Sequence, residues 1–316
     1  MILTVLLFIL GIALTVFGAD LLVNGATGIA KKYHVSEFVI GVVIVGIGTS
    51  MPELTVSLFG ALKGSSGIAI GNVSGSNLFN TLLILGITAL ISPIDYTRSN
   101  VRRDMPYNIA ASLLLLFFAV NFWVGSGNQT ISWIEGLIFL ACFVGYVVET
   151  FKNGEPEEED TESSAVKSVW LLALMVLAGI GMLVLGGKLF VDEGCVIARE
   201  LGVSETVIAI TLMACGTSLP ELATCVVAAA KHRNQLALGN ILGSNVFNIL
   251  LILGCCSLVR PLDVDPLCLF SLYALPVVAL VLLLTAFVFK RNRLCRAEGI
   301  FFLLLYVAYV LYTVAA

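Results

Sequence analysis

The sequence predicts an all-α integral membrane protein of ten transmembrane helices, arranged as two inverted five-helix repeats. Three observations carry this expectation. The composition is 59% hydrophobic and only 12% charged, against about 25% charged in a soluble globular chain. The apolar residues come in long blocks and not in short amphipathic stripes, and a span needs about 20 of them. The chain also aligns with itself at an offset of 168 residues: without a gap from Gly18 to Asp95, 34 of 78 positions are identical.

The blocks are, in order, 3–30, 36–62, 68–92, 105–125, 130–150, 168–195, 204–230, 236–260, 267–289 and 298–315. Lipid offers no partner to a free backbone N–H or C=O, so each is expected to be helical. The first block has no basic leader and no convincing cleavage site, and its second half recurs in the repeat. It is therefore read as a span and not as a signal peptide. Blocks 1 and 6 are long and glycine-bearing, with Gly11 and Gly18 in one and Gly179, Gly181, Gly186 and Gly187 in the other. Blocks 2 and 7 carry GTSMPEL at 48–54 and GTSLPEL at 216–222. Blocks 3 and 8 carry GNVSGSNLFNTLLILG at 71–86 and GNILGSNVFNILLILG at 239–254.

Between the halves, Glu155, Glu157, Glu158, Glu159, Asp160 and Glu162 form an acidic segment. It lacks the glycine and the spacing of a calcium-binding loop, and reads as a solvated linker. The organisation is thus 1–150 for the first repeat, 151–167 for the linker and 168–316 for the second repeat. Five spans per copy force the second copy to enter the membrane upside down, related to the first by a pseudo-two-fold axis in the membrane plane.

Ten spans place both termini on one side. The loops after spans 1, 3, 5, 7 and 9 carry 13 of the 17 Lys and Arg residues. Positive loops stay cytoplasmic, so both termini are expected outside the cytoplasm, in a bacterial inner membrane. The Cys residues show no CxxC or other ligand spacing and read as small buried hydrophobes.

The chemistry lies in the repeated motifs. Pro inside a span removes one backbone donor and clashes one turn back. The carbonyls near Gly48 and Thr49, and near Gly216 and Thr217, should therefore lose helical partners. Free carbonyls at membrane depth survive only where they line a cavity or bind something. Beside them sit Glu53 and Glu221, and an intramembrane carboxylate is expensive enough to imply function. The only intramembrane basic residue, Lys188, has Asp192 one turn along as a nearer partner. Two carboxylates about 5 Å apart at an effective dielectric of about 20 repel by roughly 3 kcal/mol. One divalent cation removes that repulsion; monovalent cations need two copies. Carboxylate, hydroxyl and carbonyl oxygens are hard ligands, suited to Ca²⁺ and not to zinc or copper.

Asn72, Ser76 and Asn80 share one helical face, repeated by Asn240, Ser244 and Asn248. Ser76, Asn80, Ser244 and Asn248 read as lining the site. Asn72, Asn77, Asn240 and Asn245 fit either the site or bonds between helices. The two histidines, His34 and His232, lie near loops, so nothing supports a metal-dependent hydrolase built on paired carboxylates. No enzyme chemistry, cofactor or obligate protein partner is expected.

At these motifs the chain resembles the sodium/calcium exchangers of the calcium/cation antiporter superfamily, in their compact prokaryotic form. The resemblance covers nearly the whole chain. It implies a secondary antiporter that exchanges Na⁺ for Ca²⁺ by alternating access, commonly three for one and therefore electrogenic. It further implies that Glu53 and Glu221 ligate Ca²⁺ with the carbonyls of Thr49 and Thr217. Na⁺ would use Thr49, Ser50, Thr217, Ser218, Ser76 and Ser244 with the carbonyls of Gly46 and Ala214, while Asn80 and Asn248 complete the centre. Spans 1 and 6 would slide across this core. Some relatives, potassium-dependent ones included, carry Asp where this chain has Asn248, which weakens the case for K⁺ co-transport. A Ca²⁺/H⁺ antiporter is the other alternative, and the hydroxyls beside each glutamate argue for Na⁺, because a proton needs no coordination shell.

Overall fold

Almost every long apolar block closes its own backbone hydrogen bonds, and the fold is the packing of the resulting helices. The computed structural model describes residues 2–120, 129–152, 168–202, 216–287 and 292–315. The elements are α1 (Ile2–Tyr33), α2 (Glu37–Thr49), α3 (Met51–Leu62), α4 (Ser66–Ile91), β1 (Ile94–Asp95), α5 (Met105–Ala119), β2 (Thr130–Ile131) and α6 (Trp133–Lys152). After the midpoint come α7 (Val169–Glu200), α8 (Leu219–Ala230), α9 (Asn234–Val259), β3 (Leu262–Asp263), α10 (Pro266–Thr285), β4 (Arg293–Leu294) and α11 (Arg296–Ala315).

Among the described residues, seven helices are long and apolar enough to cross a membrane: α1, α4, α6, α7, α9, α10 and α11. The pair α2 and α3 makes an eighth, bent by 48°. At 15 and 12 residues, α5 and α8 are shorter; the blocks they belong to run on into 121–125 and 204–215, outside the described residues. The acidic segment and Ala214 also lie outside them.

Two helices form the centre. The apolar windows of α4 and α9 are 72% and 83% buried, against 17% for α1 and 11% for α11. Close approach to α9 comes from missing side chains. A Cβ on Gly41 of α2 would stand 2.5 Å from the Leu236 carbonyl oxygen, and one on Gly239 2.3 Å from that of Phe38. In lipid, where apolar contact drives no association, such backbone-to-backbone packing holds helices together. The long helices α1 and α7 pack antiparallel on each other outside this centre. A Cβ on Gly18 would meet the Gly179 carbonyl oxygen at 2.9 Å, and one on Gly186 the Thr15 nitrogen at 2.7 Å. Gly11, Gly18, Gly179 and Gly186 therefore fasten the pair into one unit; Gly187 looks onto Leu219 and Pro220 of α8, and a Cβ on Gly181 would meet nothing within 4 Å.

Short strands tie the loops into two faces. On one, β1 pairs antiparallel with β4, Arg233 bridges Glu37 at 3.0 Å, and Asn234 donates to Ser92 and to the Pro93 carbonyl. On the other, β2 pairs with β3, and Arg260 lies against Gly64. The first face gathers the segments after α1, α4, α8 and α10, which are the basic ones in the sequence.

Candidate cation site

The site is built where α2 gives way to α3 and at the equivalent entry to α8. Pro52 and Pro220 each occupy the first turn of a half-helix, where a missing N–H costs nothing. Ser50 and Ser218, at the two N-caps, have φ/ψ near −85°/9° and −90°/7°, so the two half-helices start in the same way. One turn on, Glu53 and Glu221 are fully buried. Both carboxylates sit at the positive end of a helix macrodipole.

An N-cap serine ordinarily caps its own helix. Neither serine does so; each reaches across the centre instead. Ser50 Oγ donates to Glu221 Oε1 at 2.8 Å, and Ser218 Oγ donates to Glu53 Oε1, also at 2.8 Å. The reciprocity extends outward. Thr49 Oγ1 lies 3.1 Å from Asn240 Oδ1, and Thr217 Oγ1 lies 3.5 Å from Asn72 Oδ1.

The asparagines divide into two sets. Asn80 and Asn248 lie in π-helical turns, Phe79–Ile84 and Phe247–Ile252, at matching places in the two copies. Such turns re-aim side chains and favour functional sites. Their amides donate to Asn245 Oδ1 at 3.2 Å and Asn77 Oδ1 at 3.0 Å. Asn77 in turn donates to the Asn245 carbonyl, and Asn245 to Thr81. Asn77 and Asn245 thus cross-link α4 to α9, which settles them as bonds between helices. Asn72 braces α3 through Ser57 Oγ at 2.9 Å. Its counterpart Asn240 does the same for α8 through Cys225 Sγ at 3.3 Å. Ser57 escaped the sequence reading, and Cys225 was read only as a small buried hydrophobe; each lies four residues after a glutamate, on the same helical face, and matches the other at the repeat offset.

After these bonds, four buried oxygens of the site remain without a partner among the described residues: Glu53 Oε2, Glu221 Oε2, Asn80 Oδ1 and Asn248 Oδ1. All four are acceptors, in two symmetric pairs. A buried unsatisfied acceptor costs about 1–3 kcal/mol, and more when charged. No Lys or Arg forms an ion pair with either glutamate among the described residues. The wall also includes Thr49 and Ser244, both buried, and Ser76, buried on α4. Ser244 Oγ donates to the Gly46 carbonyl oxygen at 3.3 Å. Thr217 is half-buried.

One expected pair is not formed. Lys188 and Asp192 are both exposed on α7 and make no ion pair. Asp20 instead takes Lys231, at 2.5 Å, and Asn24 Oδ1 accepts from the same ammonium at 2.7 Å.

Comparison with known proteins gives the same picture. The family model described as sodium/calcium exchanger protein matches residues 3–152 and 171–315. The sodium/calcium exchanger MaX1 of Methanosarcina acetivorans is 36% identical, over 96% of this chain and 97% of its own. An uncharacterised membrane protein of Methanocaldococcus jannaschii is 38% identical, over 95% of this chain and 94% of its own. The solved structure of the sodium-calcium exchanger NCX_Mj superposes with a TM-score of 0.82 at 35% identity, covering 98% of this chain and 99% of that one. By matched length, identity and fold together, this integral membrane protein belongs to the sodium/calcium exchanger family.

Proposed function

We propose that the chain exchanges Na⁺ for Ca²⁺ across a membrane, with Glu53 and Glu221 as shared ligands of one central site. The observation that carries this is the set of four unpartnered acceptor oxygens, two of them carboxylate, enclosed by hydroxyls and amides. A site made only of hard acceptors wants a hard cation. It can hold one Ca²⁺, or several Na⁺ that spread onto the flanking oxygens of Thr49, Ser50, Ser76, Thr217, Ser218 and Ser244 and onto the carbonyls of Gly46 and Ala214. Competition for the same carboxylates makes the two occupancies mutually exclusive, which is the chemical basis of antiport.

The ten-span inverted repeat, 1–150 and 168–316 about the linker 151–167, belongs to this reading: α5 and α8 with their flanking blocks complete the count, and α2 with α3 is one broken span. The basic face is cytoplasmic and both termini lie outside, in a bacterial inner membrane. The fastened pair α1–α7 moves across the site. In this structure α1 packs along α8, the half-helix that runs from Glu221 to the basic face, while α7 makes no comparable contact with α3. That asymmetry is what a site closed towards the basic face requires. A three-for-one cycle moves one net charge and gains about 2.3 kcal/mol per 100 mV.

The test is uptake of ⁴⁵Ca²⁺ into Na⁺-loaded proteoliposomes diluted into Na⁺-free medium. Uptake should follow the outward Na⁺ gradient and vanish without it. Uptake indifferent to Na⁺ but driven by a pH gradient would mean Ca²⁺/H⁺ exchange instead, and a requirement for K⁺ would mean potassium-dependent exchange.

A further inference from the structure

We propose that a second site, on the basic face, binds the phosphate of an anionic phospholipid from the adjoining leaflet. Between the entry to α5 and the end of α6 lies a cavity of about 780 Å³ lined by Arg98, Ser99, Arg102, Arg103, Tyr107 and Glu149. It is remote in sequence from both repeated motifs and shares no residue with the central site.

Arg102 and Arg103 are presented by a π-helical turn, Asn100–Asp104, at the head of α5, and Arg98 precedes it. Arg103 is the anchor. Its side chain is only 10% exposed, and Nε donates to the fully buried Asp104 at 2.8 Å. Its Nη1 is buried, with no partner among the described residues. A guanidinium held rigidly by one carboxylate keeps a fixed positive charge beside the cavity it lines, which favours an anion there. Arg98 and Arg102 stand beside it, exposed and without an ion pair among the described residues. The one carboxylate in the lining, Glu149, accepts a hydrogen bond from the Tyr107 hydroxyl. Three arginines against Glu149 and Asp104 leave the cavity net positive.

Two features select a lipid over a free ion. The cavity lies at the ends of α5 and α6, on the face to which the basic loops belong, and anionic headgroups attract Lys and Arg at such a surface. Below it, α5 and α6 are held apart by aromatic contacts, Tyr107 on Tyr146 at 5.2 Å and Phe118 on Phe139 at 5.3 Å. Ala110 and Leu113 on α5 and Gly145 on α6 are exposed, and a Cβ on Gly145 would meet nothing within 4 Å. A phosphodiester in the cavity can therefore leave its acyl chains against these apolar residues. Inorganic phosphate would use only the cavity.

Native mass spectrometry of the full chain in detergent tests this, with phosphatidylglycerol and phosphatidylcholine titrated separately. The deciding variant is the double Arg98→Gln/Arg102→Gln, because both residues are exposed and their loss leaves the Arg103–Asp104 pair intact; an unchanged melting temperature confirms its fold. Wild type should bind phosphatidylglycerol about tenfold or more tightly than phosphatidylcholine, and the variant should lose that preference. Equal affinity for the two lipids in wild type, or an unaltered preference in the variant, would overturn the proposal. So would displacement of the lipid by millimolar inorganic phosphate. Phosphatidylglycerol binding that appears only after the carboxylates of Glu155 to Glu162 are neutralised would overturn it too, since the arginines would then serve that segment.

Discussion

Glu53 and Glu221 are each held by a single serine from the other half of the molecule, with one oxygen left over. Gln keeps the shape and the acceptor for that serine while removing one charge. Glu53→Gln and Glu221→Gln should therefore each fold, and each should lower ⁴⁵Ca²⁺ uptake at least about a hundredfold, since one carboxylate is left to offset two charges. In ion-free buffer the same variants should melt higher than wild type, because the repulsion of roughly 3 kcal/mol is gone. A variant that transports normally would refute the shared site. Asn77→Ala makes the contrasting case. It strands the Asn248 amide and the Asn245 carbonyl, so stability should fall by about 1–3 kcal/mol in thermal melts, with Na⁺/Ca²⁺ preference retained. The two glutamates were legible because the sequence repeats them inside apolar blocks. The split between Asn77 and Asn80 was legible only in part, since Asn77 fitted either the site or a bond between helices. Three residues apart, they share a helical face by spacing alone, and the π-turn that begins at Phe79 separates their roles.

Among the elements, the break between α2 and α3 follows directly from Pro52, and its copy before α8 from Pro220. The role of the glycines in α1 and α7 was only half legible. Their number announced close packing, but periodicity cannot say whether the partner is the core or the other long helix. The structure gives most of them to the α1–α7 contact. In the proposed cycle the moving unit would then be a rigid pair, restrained by contact at its rim. Lys231 supplies one such restraint, tying the loop after α8 to Asp20 and Asn24 of α1. Subtracting or adding the repeat offset maps Lys231, Asp20 and Asn24 onto Lys63, Lys188 and Asp192. The mirrored trio puts Lys where Asp20 stands, so closure at the opposite face has no equivalent tie. A half-exposed pair contributes about 0.2–1 kcal/mol, so Lys231→Gln should raise the population open to the basic face by up to about fivefold. Cys225, buried on α8 one turn beyond Glu221, reports this opening once the other seven cysteines are replaced. An impermeant thiol reagent supplied at the basic face should modify it faster in Lys231→Gln. Equal rates would show that the tie does not bias the equilibrium.

At the scale of the whole molecule, the sequence yielded the two faces through counting alone, because each span reverses the chain and basic residues cluster in alternate loops. The pairing of those loops was beyond it, since two-residue strands such as β1 and β4 carry no periodic pattern. The structure joins them. Arg98, Arg102, Arg103, Lys231, Arg233, Arg293 and Arg296 gather with β1 and β4, while Lys63 and Arg260 lie on the face of β2 and β3. Translocating a basic loop is opposed during insertion, and anionic lipid on the cytoplasmic leaflet adds about 1 kcal/mol per basic residue held near it. Both effects support the proposed placement of the face of β1 and β4 in the cytoplasm. Single cysteines on a cysteine-free chain decide the matter in intact cells. A membrane-impermeant maleimide should label Lys63→Cys and Arg260→Cys from outside, and should reach Arg98→Cys and Arg296→Cys only after permeabilisation. The reverse pattern would turn the molecule over and place the closure seen between α1 and α8 on the outer side. It would also move the arginine cavity to the outer leaflet, so this one measurement fixes the direction in which the site now opens and the membrane surface from which its lipid must come.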